Sequence, residues 1–202
     1  MWKNLTVGLL SLVAMSVISS ARSQDVKFES VMAAFDGMRA GTVAPAAAFG
    51  TVETFLAEHP NDPLATAYKG SVRARMARDA WMPWRKLGYV NEAFDLLDQA
   101  VASIEQAQSW DSRDPKLTIR MVSGSTNAQV PKTFGRQAFA ERDFKEVMAS
   151  PNFAKMKPQD QATVYAWMAV FNAERSETQA QDYLQRARAL DAEVAEKVWE
   201  KR

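Results

Sequence analysis

The sequence contains no cysteine and a single histidine, His59. Without cysteine the chain has no disulfide bond, no thiolate metal site and no thiol nucleophile. One histidine is too few for the clustered ligands of a typical zinc site, and His59 lies in a proline-flanked turn, where a solvated or helix-capping role is expected. We therefore predict that the protein holds neither a metal ion nor another cofactor.

Glycine and proline are scarce, with eight of each among 202 residues, which is too few for a disordered or low-complexity chain. Gly124 and Gly135 are too isolated to form a phosphate-binding loop. A serine nucleophile would have only His59 as a histidine base, and nothing in the sequence positions a lysine for that role. The prediction is a protein that is not an enzyme and has no catalytic residues. A cell-wall hydrolase with two carboxylates is a less favoured alternative, with the candidates Asp79, Glu92, Asp95 and Asp98.

The longest apolar run is short and lies at the N-terminus, over residues 5–18. Lys3 precedes it, and residues 21–23 (Ala-Arg-Ser) have the small-x-small spacing of a signal-peptide cleavage site. We expect a signal peptide over residues 1–23 and a mature start at Gln24. An uncleaved anchor or a buried helix stays open, although the run is short for a hydrocarbon core of about 30 Å. Export without disulfides favours the bacterial periplasm, with no stable membrane span after cleavage.

A strong charge imbalance is also absent. The whole chain carries a formal net charge of +1, and residues 24–202 carry 23 basic and 24 acidic side chains, for a net charge of −1. This balance supplies no bulk attraction to nucleic acid or to an anionic membrane. Nucleic acid is therefore not an expected partner.

Clusters of β-branched residues are missing after the first twenty residues, whereas alanine and straight-chain residues abound, which favours helix over strand. Apolar residues recur every three or four positions, and Asp62-Pro63, Asp114-Pro115 and Ser176 with Gln179 are typical helix starts. We predict about nine helices and no convincing strand. The expected helices cover residues 26–38, 46–58, 64–79, 84–107, 115–128, 136–148, 159–171, 176–190 and 192–199.

An internal repeat occurs on alternate predicted helices, at intervals of 45, 47 and 40 residues. Each copy has an alanine, then a large apolar residue four positions later, then a small or apolar residue after three more. The copies are Ala48, Val52 and Phe55; Ala93, Leu97 and Ala100; Ala140, Phe144 and Val147; and Ala180, Leu184 and Ala187. The small residues let two helices approach while the large one fills the opposite groove. The predicted fold is all-α, with antiparallel helical hairpins stacked as a short right-handed solenoid over residues 24–202.

This repeat resembles tetratricopeptide repeats, in residues 67–70 (AYKG), in the alanine-centred pattern above, and in the turns at 58–63 and 190–191. The resemblance covers most of residues 44–191, although the repeats exceed the usual length of about 34 residues. More narrowly, the chain is similar to a group of uncharacterised exported bacterial proteins of this type. Those carry a Trp-x-Pro-Trp basic connector and a Pro-x-x-Phe-Gly-Arg connector, here at residues 81–86 and 131–136. The resemblance implies binding of a protein or peptide and carries over no catalytic residue.

The stretch 73–89 and the connector 131–136 supply the candidate binding site. Its predicted residues are Arg73, Trp81, Trp84, Arg85, Lys86, Tyr89, Lys132, Phe134 and Arg136. In a stacked array the two connectors would share one edge and form an aromatic and basic patch suited to an acidic peptide tail, a partner's loop or an anionic glycan. The competing interpretation is structural. In it, Trp81 and Trp84 wedge between paired helices, and the arginines cap helices and pair with Asp79 and Glu92.

The function that these features favour is a periplasmic interaction or scaffold module, which binds an envelope protein or peptide through its helical-repeat surface. The alternative is a periplasmic binding protein for an anionic small molecule or glycan. A groove for a helix or peptide would favour the first, and a closed pocket with convergent arginines the second. Two carboxylates facing each other across a cleft would favour the hydrolase.

Overall fold

A computed structural model describes residues 27–202, and the predicted signal peptide and cleavage site lie outside this range. Within it the chain forms nine α-helices, joined by loops and three short 3-10 turns, and no strand. The helices are α1 (Phe28–Ala40), α2 (Pro45–Glu58), α3 (Pro63–Asp79), α4 (Pro83–Ala102), α5 (Pro115–Ala128), α6 (Gln137–Ala149), α7 (Pro158–Asn172), α8 (Glu177–Leu190) and α9 (Ala192–Trp199). The prediction of an all-α fold is confirmed. No helix in residues 27–202 is both long and apolar enough to cross a bilayer.

The two aspartate-proline pairs start helices as the sequence indicates. Asp62 Oδ1 accepts a hydrogen bond from the amide of Ala65 at 2.7 Å, and Asp114 Oδ1 accepts one from the amide of Lys116 at 3.0 Å. The second oxygen of each carboxylate reaches a residue much later in the chain. Trp110 Nε1 donates to Asp62 at 2.9 Å, and Asn152 Nδ2 donates to Asp114 at 3.0 Å. Each cap therefore also ties its helix to a later loop.

Helix α4 ends five residues before the end that its apolar spacing predicts. Its last residue is Ala102, and the hydroxyl of Ser103 donates to the carbonyl of Gln99 at 2.8 Å. Ile104 then begins a 3-10 turn and is buried in the core. Because Ile104 keeps the spacing of three or four, the apolar pattern alone does not distinguish this turn from a continuing helix.

Sequence neighbours pack as helical pairs. Helices α1 and α2, α3 and α4, α5 and α6, and α7 and α8 lie against each other, and α9 packs on α7 and α8. Helix α3 also contacts α2 and α5, and α7 also contacts α6, so successive pairs are joined through these helices. One apolar cluster centres on α1, α2 and α3, and a second centres on α6, α7 and α8. Because α3 and α7 are each packed on several sides, buried residues occur around most of their circumference.

All twelve positions of the internal repeat are at most 1% exposed and lie on α2, α4, α6 and α8. Two of the large residues lie against glycines on the preceding helix. A Cβ built on Gly70 would stand 3.0 Å from Leu97 Cγ, and one on Gly124 would stand 2.9 Å from Phe144 Cε1. In these two helical pairs the pattern thus marks a close approach of the helices, as small residues permit.

We expect Gly124→Ala to lower the free energy of unfolding by about 1–3 kcal/mol, because its new methyl group would meet the ring of the fully buried Phe144. The matched control is Gly50→Ala on α2, where a Cβ meets nothing within 4 Å. We expect the free energy of unfolding of that control to rise by about 0.5–1 kcal/mol, because alanine has a better helix propensity than glycine. Urea unfolding followed by circular dichroism measures both. If both variants gain stability, the close approach at Gly124 does not matter.

Candidate functional site

The first six residues of α4 lie exposed at the surface of the helical array. Residues 83–88 are all exposed, and the first buried side chain of α4 is that of Val90, its eighth residue. Every other helix buries a side chain within its first five residues. Burial of an apolar face normally supplies most of the stability of a helix in a protein. The start of α4 is therefore an ordered helical end whose first six residues are open to solvent.

Large apolar side chains are concentrated at this exposed start of α4. Trp81 is 82% exposed, Trp84 is 70% exposed and Leu87 is 53% exposed. The structural interpretation, in which Trp81 and Trp84 wedge between paired helices, is therefore wrong. Leu87 was not among the predicted site residues, although its spacing of three from Trp84 places both on one side of α4. We call Trp81, Trp84, Arg85, Lys86 and Leu87 together the tip surface.

Arg85 and Lys86 are the cations of the tip surface. Both are exposed, and in residues 27–202 neither forms an ion pair. The arginines of the preceding helix are different. Arg75 and Arg78 contact the carboxylate of Asp79 at 3.3 and 3.6 Å. The predicted pairing of arginines with Asp79 is confirmed for α3. Among the basic residues of the stretch 73–89, Arg85 and Lys86 are therefore the ones open to an external anion.

Arg73 and Tyr89 come together, but inside the packing of α2, α3 and α4. The Arg73 side chain is only 14% exposed, and its guanidinium binds Glu92 at 2.8 Å. It also lies 3.7 Å from the ring centre of Phe49 and 4.9 Å from that of Tyr89. Cation–π contacts and an ion pair thus hold the guanidinium on three sides. We assign Arg73 and Tyr89 to the support of α4 rather than to the tip surface.

The second connector places its three predicted site residues in different environments. Lys132 is exposed and binds Glu174 at 3.0 Å. Phe134 is 36% exposed and contacts Phe94 of α4 edge to face, with ring centres 5.8 Å apart. Arg136 is 7% exposed and is directed inward. Only Phe134 therefore offers apolar surface to an external molecule.

Arg136 is held entirely by its own chain. Its guanidinium makes a bidentate ion pair with Asp98 of α4, and its Nε donates to Asn127 Oδ1 of α5 at 2.9 Å. The same group lies over the rings of Phe94 and Phe139, at 4.6 and 3.9 Å. This structural role differs from the sequence-based expectation of an exposed binding arginine. The sequence could not indicate it, because Asp98 lies 38 residues away along the chain.

Both predicted connectors contribute to one side of helix α4. Trp84, Leu87, Phe94 and Asp98 lie within about 80° of one another around the helix axis, since successive residues are rotated by 100°. Phe134 and Arg136 cover this face at Phe94 and Asp98. About 15 Å towards the start of the helix, the same face is bare at Trp84 and Leu87. The second connector thus covers the second half of this side of α4. On the same side, Trp84 of the first connector stays exposed.

The carboxylates proposed for a hydrolase line neither of the surface depressions described below. Asp79, Glu92 and Asp98 each bind an arginine of the same chain. Asp95 is exposed on α4.

Open surface depressions occur on α6 and beside the turn at 58–63. One lies on α6, where Arg175 and Lys145 flank Glu141. Partial burial opposes ionisation of Glu141, but hydrogen bonds from Lys145 and Arg175 outweigh it and hold the pKa of its carboxyl below the usual value. Lys145 and Arg175 thus share Glu141, and the third cation of this depression, Arg142, binds Asp143. The other depression lies between the turn at 58–63 and Trp110. Neither brings together unpaired arginines.

The described part of the chain contains no group of three or more His, Asp or Glu residues arranged to hold a metal ion. Comparison of the chain with protein-family models, with curated proteins and with solved structures gives no match.

Proposed function

We propose that the protein is a periplasmic interaction module, in which stacked helical hairpins form a short right-handed solenoid of the tetratricopeptide type. It binds an envelope protein or peptide and performs no catalysis. The tip surface is the main contact, with Phe134 at its margin. The N-terminal segment directs export and is removed after residue 23.

The observation that carries this proposal is the exposure of Trp81, Trp84 and Leu87 beside Arg85 and Lys86. Clustered exposed apolar side chains on a folded protein mark contact surfaces, and tryptophan and arginine are enriched among the residues that dominate binding energy. The cations point outward on an open helical end rather than into an enclosed pocket. This geometry favours a macromolecular partner over an anionic small molecule or glycan.

The solenoid arrangement is supported by the order of helix contacts. Each of the first eight helices packs with its sequence neighbour as a pair, and α3 contacts both α2 and α5. The buried repeat positions all fall on the second helix of a pair. These are the contacts that a stack of two-helix repeats requires, because each repeat buries its apolar face against the next.

We expect the double variant Trp84→Ala, Arg85→Ala to lose partner capture while its far-UV circular dichroism stays unchanged, because both side chains are exposed. The measurement is crosslinking in the periplasm followed by a pull-down, with wild type and variant side by side. Lys157→Ala is a control that removes an exposed cation at the start of α7. If the double variant unfolds, the segment is structural. Undiminished capture by a folded variant would show that the tip surface is not the contact.

A further inference from the structure

We propose that the tip surface recognises a partner segment in which apolar side chains are flanked by carboxylates, and that this segment lies along α4 beside Phe134. The inference rests on the proposed function, because it specifies the chemistry of the protein that the tip surface binds. It concerns the bare part of the face defined by Trp84, Leu87, Phe94 and Asp98.

The chain itself shows how this face of α4 is covered. Over the second half of α4, the segment 131–136 supplies an aromatic ring and a cation. These meet an aromatic ring and a carboxylate of α4. Phe134 contacts Phe94, and Arg136 binds Asp98. Over its first half, α4 offers apolar side chains and cations instead. The complementary cover is a segment of apolar side chains and carboxylates, with the charges reversed relative to the internal contact.

The position of Phe134 indicates where the partner segment runs. Its ring is held against Phe94 on one side and is 36% exposed on the other. Trp84 and Phe134 are therefore the two ends of a side strip about 15 Å long, the rise of some ten helical residues. A peptide segment can follow such a strip along the side of α4.

Charge argues against two other occupants. A second copy of the chain that docked its own tip surface here would bring its Arg85 and Lys86 against the same cations, and like charges disfavour that contact. The N-terminal residues outside the described range carry Lys3, Arg22 and a single acid, Asp25. That segment has a net positive charge, so it does not complement the tip surface. An acidic segment of another protein is the occupant that the charges favour.

The test is calorimetric titration of the purified protein with two synthetic helical peptides. Both have leucines along one face, and they differ in flanking these with glutamates or with lysines. We expect the glutamate peptide to bind, and its affinity to fall as salt is raised, because exposed charge pairs are screened. We expect the lysine peptide not to bind. Arg85→Glu with Lys86→Glu should weaken binding about tenfold or more.

The control for that charge reversal is Lys155→Glu with Lys157→Glu, which makes the same change of net charge on exposed residues outside the tip surface. We expect it to change the affinity by about twofold or less at physiological salt. Leu87→Ala should weaken binding without a change in net charge. Equal binding of the two peptides, or binding of neither, would overturn the inference. So would binding of phosphatidylglycerol vesicles through Trp84 without binding of the glutamate peptide.

The same variants separate the inference from the proposed function. If the periplasmic partner is lost with Trp84→Ala, Arg85→Ala but retained with Arg85→Glu, Lys86→Glu, the tip surface binds a protein without requiring its acidity. The proposed function then stands, and the inference fails. If both variants retain the partner, the proposed function fails as well.

Discussion

Replacing Asp143 with alanine is expected to lower the free energy of unfolding by about 3–5 kcal/mol, because it removes the central acceptor of a buried polar network. Asp143 is fully buried on α6. Its carboxylate accepts from Ser123 Oγ at 2.6 Å and from Arg120 Nη1 at 2.9 Å, both on α5. Alanine leaves that hydroxyl and that guanidinium without their acceptor, and an unpaired buried polar group is costly.

The network extends beyond Asp143 to α4. Ser123 accepts from Asn127 at 3.2 Å, and Asn127 in turn accepts from Arg136, which binds Asp98. Side-chain hydrogen bonds therefore link α4, α5 and α6 in sequence. Loss of the central acceptor weakens the joint between two successive helical pairs, so urea unfolding should shift to much lower denaturant concentration.

Glu146→Ala is the matched control for Asp143→Ala, since it removes an acidic side chain from the exposed side of the same helix. We expect the free energy of unfolding of that control to stay within about 0.5 kcal/mol of the wild-type value. Asp143→Asn should fall between the two, because the amide oxygen still accepts from Ser123 while the charge opposite Arg120 is lost. Unfolding of Asp143→Ala at the denaturant midpoint of Glu146→Ala would refute the structural role of the network.

Phe144→Ala is expected to lower the free energy of unfolding by about 3–5 kcal/mol, because it empties a fully buried ring from the repeat position on α6. Phe134→Ala is the control. That ring is 36% exposed and lies against Phe94, so we expect the free energy of unfolding to fall by about 1 kcal/mol or less. Urea unfolding separates the two, and equal losses would contradict the assignment of Phe144 to the core.

A double variant tests the close approach directly. The three atoms nearest to a Cβ built on Gly124 all belong to the ring of Phe144, at 2.9–3.1 Å. In the Phe144→Ala background, Gly124→Ala should therefore raise stability instead of lowering it. The two substitutions should show a coupling of about 0.5–3 kcal/mol, as contacting residues do. Strict additivity would mean that the ring is not what restricts Gly124.

The helices could be predicted because their signals are local. The spacing of apolar residues and the caps at Asp62 and Asp114 act within one or two turns of the chain, and the structure reproduces both. The end of α4 could not be predicted, since Ile104 keeps the helical spacing while its backbone has left the α-helix. A pattern of side chains records which residues are buried, and a short 3-10 turn can bury the same residue.

The candidate site was only partly accessible to sequence reasoning. Arg85 and Arg136 both lie beside aromatic residues in a connector. Arg85 is exposed and has no ion-pair partner in residues 27–202, whereas Arg136 is buried in an ion pair. The difference depends on Asp98, which packing brings to Arg136 from a distant part of the chain. The sequence is compatible with Trp84 in a binding site or between packed helices, because aromatic side chains occur in both.

By itself, the sequence determined an all-helical chain, the starts of its helices and the buried positions of its repeat. These follow from interactions between residues three or four apart, which are present wherever the chain forms a helix. Only the tertiary structure decided that residues 83–88 of α4 stay exposed, and that Arg85 and Lys86 have no ion-pair partner in residues 27–202. Exposure depends on which other helices reach a surface, and no local pattern contains that information.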